Sequence, residues 1–303
     1  MSSFVIGVDI GGTNIRVGLV NENLELIRKE QVLTGSFQHA EEIFAAIRAM
    51  IEKVDHDRKA SKIGMVLPVP WNGRTEVIVD ATNIPCLENV PIGMIQSFFP
   101  EYELYFENDV NAITLLESDH GAAKAYDQPI YITVSSGIGS GIIMNKQLVH
   151  GSHGYAGEIG SMIVSDSGKN HSTLYDGTLE SLCSGIALEE ESKLLYGSHA
   201  TASLLFEQYH KQDEQAIEVI ELWIKHFSNA IVSLMQTLDP DIFVVGGAVI
   251  HHNQWLIDRV TASARKKVLP HLSGHIQITV SHFGPDAGII GAGYNVYNKA
   301  KGE

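Results

Sequence analysis

The stretch VDIGGTNIRVGLV, Val8 to Val20, constrains the fold more than any other part of the chain. An apolar run, FVIGVDI, meets Gly11, Gly12 and Thr13, and glycine-rich turns after strands often hold phosphate. The element after the glycines separates the kinds of phosphate loop. A P-loop or a dinucleotide fingerprint needs a helix there. Residues 14–20 instead alternate apolar and other side chains, are rich in branched residues, and contain no Gly-Lys-Ser/Thr. That is strand periodicity. The segment is predicted to be a β-hairpin whose tight turn carries the glycines. Backbone N–H groups of such a turn can point at phosphate oxygens without a helix dipole.

The pattern returns at Pro129–Met144, PIYITVSSGIGSGIIM, with Gly137, Gly139 and Gly141 between two strand-like runs. Two glycine-turned hairpins predict two related α/β halves. Between them, Ile43, Phe44, Ile47, Met50, Ile51 and Val54 make residues 40–54 an amphipathic helix. Residues 62–69 read as a buried strand. A further strand over 104–106 runs into Glu107-Asn108-Asp109-Val110-Asn111, where a helix begins. Later come a helix over 214–238, closed by Asp239-Pro240, the strand DIFVVGG with Gly246 and Gly247, and a last helix over 287–297.

The length of 303 residues and a 44% hydrophobic content suit two domains of ordinary size. A net charge of -15 argues against nucleic acid as a partner, which would need a basic face. Two cysteines, Cys86 and Cys183, make no disulfide framework and fit a reducing cytoplasm. No signal-peptide pattern precedes the first strand, and no window approaches the ~18 apolar residues of a membrane helix. The expectation is a cytoplasmic protein with neither nucleic acid nor membrane as partner.

Four ordered blocks, DIGGTNIRVG, ENDVN, TVSSGIGSGI with GYAGEIG, and LDPDIFVVGG, resemble the ROK-family sugar kinases. The resemblance covers nearly the whole chain. It implies a two-domain actin-like (ribonuclease H-like) α/β fold of the hexokinase, Hsp70 and actin type, with a central interdomain cleft. The smaller domain is expected over residues 1–118, with the C-terminal helix (286–303) returning to it, and the larger over 119–285. ATP with Mg²⁺ is the implied phosphoryl donor and a small sugar the acceptor. Asp9, Gly11, Gly12, Thr13 and Asn14 match the family's first phosphate loop, and Ser135, Ser136, Gly137, Gly139 and Gly141 its second. Gly246 and Gly247 match the turn that touches adenosine. A homodimer is the oligomer that the resemblance implies.

Phosphoryl transfer needs an in-line acceptor, charge neutralisation and often a carboxylate that takes the acceptor's proton. Asp109 matches the family's catalytic base; the competing role for a residue in that place is capping the following helix. Asp9, at the phosphate turn, is suited to orient Mg²⁺ through water. Asn83, Asn108, Glu158 and Glu180, together with Asp109, match the family's sugar contacts. Paired carboxylates and amides suit vicinal hydroxyls, each both donor and acceptor.

The chain departs from the family where most members carry a structural zinc. Ser161 stands in place of the histidine after the Gly-Glu-x-Gly block, Thr178 in place of a cysteine, and SDSGKNHSTLYDG has no cysteine. Zinc needs about four N or S ligands. His150, His153 and His171 lack ligand spacing, so no zinc site is expected and packing must hold the loop. The lost histidine also contacts sugar in the family, which opens the substrate question at Ser161. The usual Pro-Gly is absent too, with Pro68 followed by Val69. Asp109-Val110-Asn111, Arg74-Thr75 and Cys183-Ser184-Gly185 resemble the D-allose kinases. Glucose, N-acetylmannosamine, fructose and β-glucosides are the other candidates. A ROK repressor would carry a helix-turn-helix ahead of the first phosphate loop, where only eight residues precede Asp9. A non-catalytic sugar-binding protein would not need Asp109 and both turns.

Overall fold

The computed structural model describes residues 4–166 and 174–300. The chain divides into two compact units. The first takes Met1–Asp119, Leu148–Ala156 and Phe283–Glu303, and the second His120–Gln147 and Gly157–His282.

In the first unit, β1 (Phe4–Ile10) and β2 (Asn14–Asn21) form the expected antiparallel hairpin, in a register that pairs Asp9 with Arg16. β3 (Leu26–Leu33) extends it as an edge strand. After α1 (Ala40–Val54), β4 (Ala60–Leu67) runs parallel to β1. After α2 (Ile92–Phe98), β5 (Glu103–Asn108) runs parallel to β4, and α3 (Asp109–His120) starts at its end. The sheet order is β3-β2-β1-β4-β5. β4 stops at Leu67 rather than at Val69, because Pro68 has no N–H for the ladder. α1 has the bounds its periodicity predicts, and the six apolar residues of its stripe join Ile6, Val8, Ile10, Ile63 and Met65 in one core.

The second unit repeats the plan. β6 (Pro129–Val134) and β7 (Ile138–Met144) form the second antiparallel hairpin, with β8 (Gln147–Leu148) beyond it. α4 (Leu179–Cys183), α5 (Gly185–Tyr196), α6 (Ala202–His210) and α7 (Glu214–Leu238) come next. β9 (Ile242–Gly246) lies parallel to β6. After α8 (Ala248–His252) and α9 (Leu256–Arg265), β10 (Ile278–Val280) lies parallel to β9. Counted from the first strand of each hairpin, the order β10-β9-β6-β7-β8 repeats that of the first sheet. α7 is capped by Asp213, whose carboxylate accepts the Ala216 N–H at 2.9 Å, and it closes at Asp239 in a left-handed conformation before Pro240.

α10 (Ala287–Lys299) belongs to the first unit and covers the second face of its sheet, where Ile289 and Val296 meet Val5, Val20 and Tyr105. Gly7 and Gly64 are register partners that let this helix lie flat. A Cβ on Gly64 would stand 1.8 Å from the Ala292 carbonyl oxygen. No described helix is long and apolar enough to cross a membrane.

Candidate active site

Parallel strands deliver their following loops to one edge of a sheet. In the first unit β1, β4 and β5 therefore bring Gly11–Thr13, Pro68–Trp71 and Asn108–Asp109 to the same edge. The first turn is closed by the Gly11 N–H donating to the Asn14 carbonyl at 3.0 Å. Thr34 braces it from the side: its N–H donates to Thr13 O at 3.0 Å and its hydroxyl to Gly11 O at 2.6 Å. Gly12 and Thr13 are left exposed. Asn83 abuts this turn, since a Cβ on Gly12 would stand 3.1 Å from the Asn83 Cβ.

The Asp9 side chain is 14% exposed and lies 3.5 Å from Arg16 Nη1. Gly288, in the first turn of α10, packs on its carboxylate; a Cβ there would stand 2.4 Å from Oδ2. Burial above all, then the negative charge of Asp109, push the Asp9 carboxyl from the ordinary 3.8 up to about 7. Arg16 opposes the rise and Asp286 adds to it. Lys29 Nζ sits 2.8 Å from both Asp286 oxygens.

Asp109 and Asn108 divide two tasks. Asn108 caps α3, its Oδ1 accepting the Asn111 N–H at 3.0 Å, and its Nδ2 donates to Val69 O at 3.1 Å. The cap is thus taken by the neighbour of Asp109. Asp109 Oδ1 accepts the Val110 N–H at 2.9 Å, which favours the carboxylate, but burial outweighs it and raises the carboxyl above its usual range.

In the second unit the carboxyl ends of the parallel neighbours β6 and β9 carry Ser135–Gly137 and Gly246–Gly247. The start of α5 is pinned to the first of these: the Gly185 N–H donates to Ser135 O at 2.7 Å and the Ile186 N–H to Ser136 O at 3.3 Å. Gly139 lies within β7, paired with Thr133, so the turn proper is Ser135–Gly137. Gly247 has φ +88°, and a Cβ on it would stand 2.3 Å from Val134 O, so only glycine lets the two strand exits meet. Glu180 Oε2 accepts the Ile138 N–H at 2.6 Å, which commits one oxygen of this expected sugar ligand to bracing the second hairpin. Glu158 and Ser161 are exposed on a short 3-10 segment, which is anchored where the Ser140 hydroxyl donates to Gly157 O at 2.8 Å.

Backbone pairing joins the described ends of the loop after Ser161. Ile163 bridges Thr178, the Leu179 N–H donates to Met162 O at 2.8 Å, and the Val164 N–H donates to Gly177 O at 2.8 Å. Among the described residues no group of three or more His, Cys, Asp or Glu could hold a metal ion. His171 lies outside the described residues. His153 is exposed, and His150 meets Glu107 in the first unit, 3.1 Å from each carboxylate oxygen.

Arg16, Thr34, Gly288 and Gly185 were absent from the expected set. Arg16 had a signal: counting outward from a two-residue turn at Gly12-Thr13 pairs it with Asp9. The other three act from distant segments and leave no local pattern.

A glucokinase of Thermotoga maritima is 26% identical over 302 residues, covering 95% of each chain. An N-acetylmannosamine kinase of Haemophilus influenzae is 27% identical over 290 residues, covering 95% of this chain and 94% of the relative. The solved structure of a ROK family glucokinase from Streptomyces griseus, in complex with glucose and AMPPNP, superposes with a TM-score of 0.83. It is 26% identical and covers 96% of this chain and 98% of its own. The two-domain, actin-like α/β fold is thus common to the chain and a solved member of one family. The sequence profile of that family matches residues 5–298, and the chain belongs to the ROK family.

Proposed function

We propose that the protein is an ATP-dependent sugar kinase that transfers the terminal phosphoryl group of ATP to a hexose hydroxyl, the 6-hydroxyl. The observation that carries this is the presence of two carboxylates at the same carboxyl edge of one sheet. Asp9 precedes the glycine turn at the end of β1, and Asp109 follows β5 with the capping task taken by Asn108. In the reaction the acceptor hydroxyl loses its proton to Asp109, its oxygen bonds to the γ-phosphorus, and the bond from that phosphorus to the bridging oxygen of ADP breaks. A carboxyl raised by burial is a stronger base than an exposed one, which suits a poorly acidic sugar hydroxyl.

The N–H groups of the exposed residues Gly12 and Thr13, in the braced first turn, suit phosphate oxygens. Gly11, Asn14, Ser135, Ser136, Gly137, Gly139, Gly246 and Gly247 complete the residues assigned to ATP. Mg²⁺, when bound with ATP, would supply charge neutralisation on the phosphate oxygens. The residues fit it: Asp9 lies near Asp109 and Asp286, three carboxyl groups against the two cations Arg16 and Lys29. Asp9 would reach the ion through water, as Mg²⁺ prefers to keep its water ligands.

Asn83, Asn108, Glu158, Ser161 and Glu180 are assigned to the sugar. Glu180 and Asn108 each have part of their hydrogen-bonding capacity left after their structural bonds, since a carboxylate and an amide offer about four sites each. D-allose is preferred over glucose on one ground, Ser161 in place of the family's histidine. The three short likenesses to allose kinases carry less weight, and two of them have local tasks. Ser184 caps α5 by accepting the Ala187 N–H at 3.1 Å, Gly185 packs on Ser135, and Arg74 and Thr75 fold onto Asn72. Zinc has no part in the proposed enzyme, since Ser161 and Thr178 stand where the family has ligands. Two free cysteines accord with a cytoplasmic setting.

The test is ADP release with ATP, Mg²⁺ and a panel of D-allose, glucose, N-acetylmannosamine, fructose and cellobiose. Sugar-dependent release is expected, strongest with D-allose. No release with any hexose would refute the kinase assignment; glucose ranked first would refute the sugar preference alone.

A further inference from the structure

Glu107 is 1% exposed and lies between Phe106 and the Asn108–Asp109 pair, one residue before the end of β5. Groups from four places converge on its carboxylate. The Asn108 N–H donates to Oε1 at 3.1 Å, and Asn111 Nδ2, on α3, stands 3.5 Å from the same oxygen. Lys299 Nζ, at the end of α10, is 3.5 Å from Oε2 and donates to Phe106 O at 2.9 Å. His150 Nε2 lies 3.1 Å from both oxygens. A buried carboxylate is retained only where partners such as these offset its desolvation. The proposed proton transfer uses none of these groups directly.

His150 belongs to the strap Leu148–Ala156, which the first unit draws from between two stretches of the second. The strap has other holds. Gly154 packs on the Trp71 backbone, where a Cβ would stand 2.8 Å from Trp71 N. Asn72 Nδ2 reaches Ser152 O at 3.5 Å, and the Tyr155 hydroxyl donates to the Asp80 carboxylate. Trp71 and Asn72 lie in the segment after β4, close behind Val69, whose carbonyl receives Asn108 Nδ2 at 3.1 Å. At its far end the strap runs directly into Gly157–Ser161, which carries Glu158 and Ser161. One carboxylate therefore ties the strand end bearing the proposed base to the segment that leads into the proposed sugar loop.

We infer that Glu107 and His150 are positioning residues for the transfer. Glu107 fixes the Asn108 backbone and the start of α3, and so aims the Asp109 carboxylate. His150 docks the strap on that same group and sets the entry to the Gly157–Ser161 loop. The inference rests on Asp109 as base and Glu158 as sugar ligand. Neither Glu107 nor His150 touches a reacting atom; their effect is through geometry, where a displacement of about 1 Å can cost on the order of 100-fold in rate.

The test compares His150→Ala with His150→Gln, alongside Asp109→Asn. His150→Ala should lose about 10-fold or more in kcat and raise the sugar KM, with the ATP KM changed by less than about twofold. His150→Gln keeps an N–H donor for the Glu107 carboxylate and should recover most of the loss. In His150→Ala, amide hydrogen exchange should quicken at Asn108 and Asn111. Wild-type kcat and sugar KM in His150→Ala, together with an inactive Asp109→Asn, would overturn the inference and leave the base intact. Equal damage in both His150 variants, with a lowered melting temperature, would mean a merely structural role and would also overturn it. If Asp109→Asn keeps its turnover, the base assignment fails on its own; unchanged exchange at Asn108 and Asn111 in His150→Ala would then still overturn the positioning role.

Discussion

Asp9→Asn should make the ligand-free protein more stable, and only above a definable pH. The Asp9 carboxyl has an ordinary value of 3.8 when unfolded and is pushed up to about 7 when folded. Between these values the folded state keeps a proton that the unfolded state has released. Stability therefore falls as pH rises through that window, and the whole penalty is present above about pH 7 and absent below about pH 4. At about 1.4 kcal/mol for each tenfold step in the proton equilibrium, the ceiling is about 4 kcal/mol. A side chain 14% exposed, with Arg16 at 3.5 Å, keeps some solvation of its charge, so about 1–3 kcal/mol is the expected share. Asparagine has the same shape and cannot ionise. Thermal unfolding of both proteins by circular dichroism, from pH 3.5 to 8.5 in chelator without nucleotide, reads this directly. The melting temperatures should nearly coincide at the acid end. Above pH 7.5 Asp9→Asn should be higher, by roughly 2–4 °C for each kcal/mol. The same variant should lose kinase activity if the buried carboxylate that destabilises the free protein is the group that orients the cation's water. A constant offset across pH, or a variant less stable at pH 8, would refute the reasoning.

Other outcomes depend on single contacts. Gly247→Ala forces a Cβ to 2.3 Å from Val134 O at φ +88°, and should cost about 2 kcal/mol or more and weaken ATP binding, measured by calorimetry. Ser161→His should move kcat/KM towards glucose by about 10–100-fold if that position sets the sugar, and leave the ranking of the panel unchanged if it does not. Protein purified without a metal-binding tag should hold no stoichiometric zinc by elemental analysis, whereas about one ion per chain would mean that the loop after Ser161 finds ligands of its own.

Much of the frame was legible because it is written in local pattern. The two hairpins, α1 and α7 all arise from residue spacing, and the junction at Asn108–Asp109 from an apolar run that meets a polar one. The short β10 was not legible, since Ile278–Val280 is too brief for any period, and β3 carries three consecutive charged residues, Arg28 to Glu30, in place of an apolar alternation. At the candidate site the spacing named residues without dividing their tasks. Asn108 and Asp109 are both reasonable caps in a string of letters; only the 3.0 Å bond from the Asn111 N–H assigns the cap to Asn108. Glu180 reads as a free carboxylate until Ile138, 42 positions earlier in the chain, is found donating to it. Such long-range hydrogen bonds are set by tertiary packing, which leaves no period to read.

The central claim is that Asp109 accepts the acceptor hydroxyl's proton, and Asp109→Asn tests it with little change of shape. Turnover with the best sugar of the panel, and the affinity for that sugar by calorimetry, should be measured on the same preparation. With Asp109 as the base, kcat falls by roughly 100-fold or more while sugar affinity stays within about threefold. A variant that turns over at near the normal rate would contradict it.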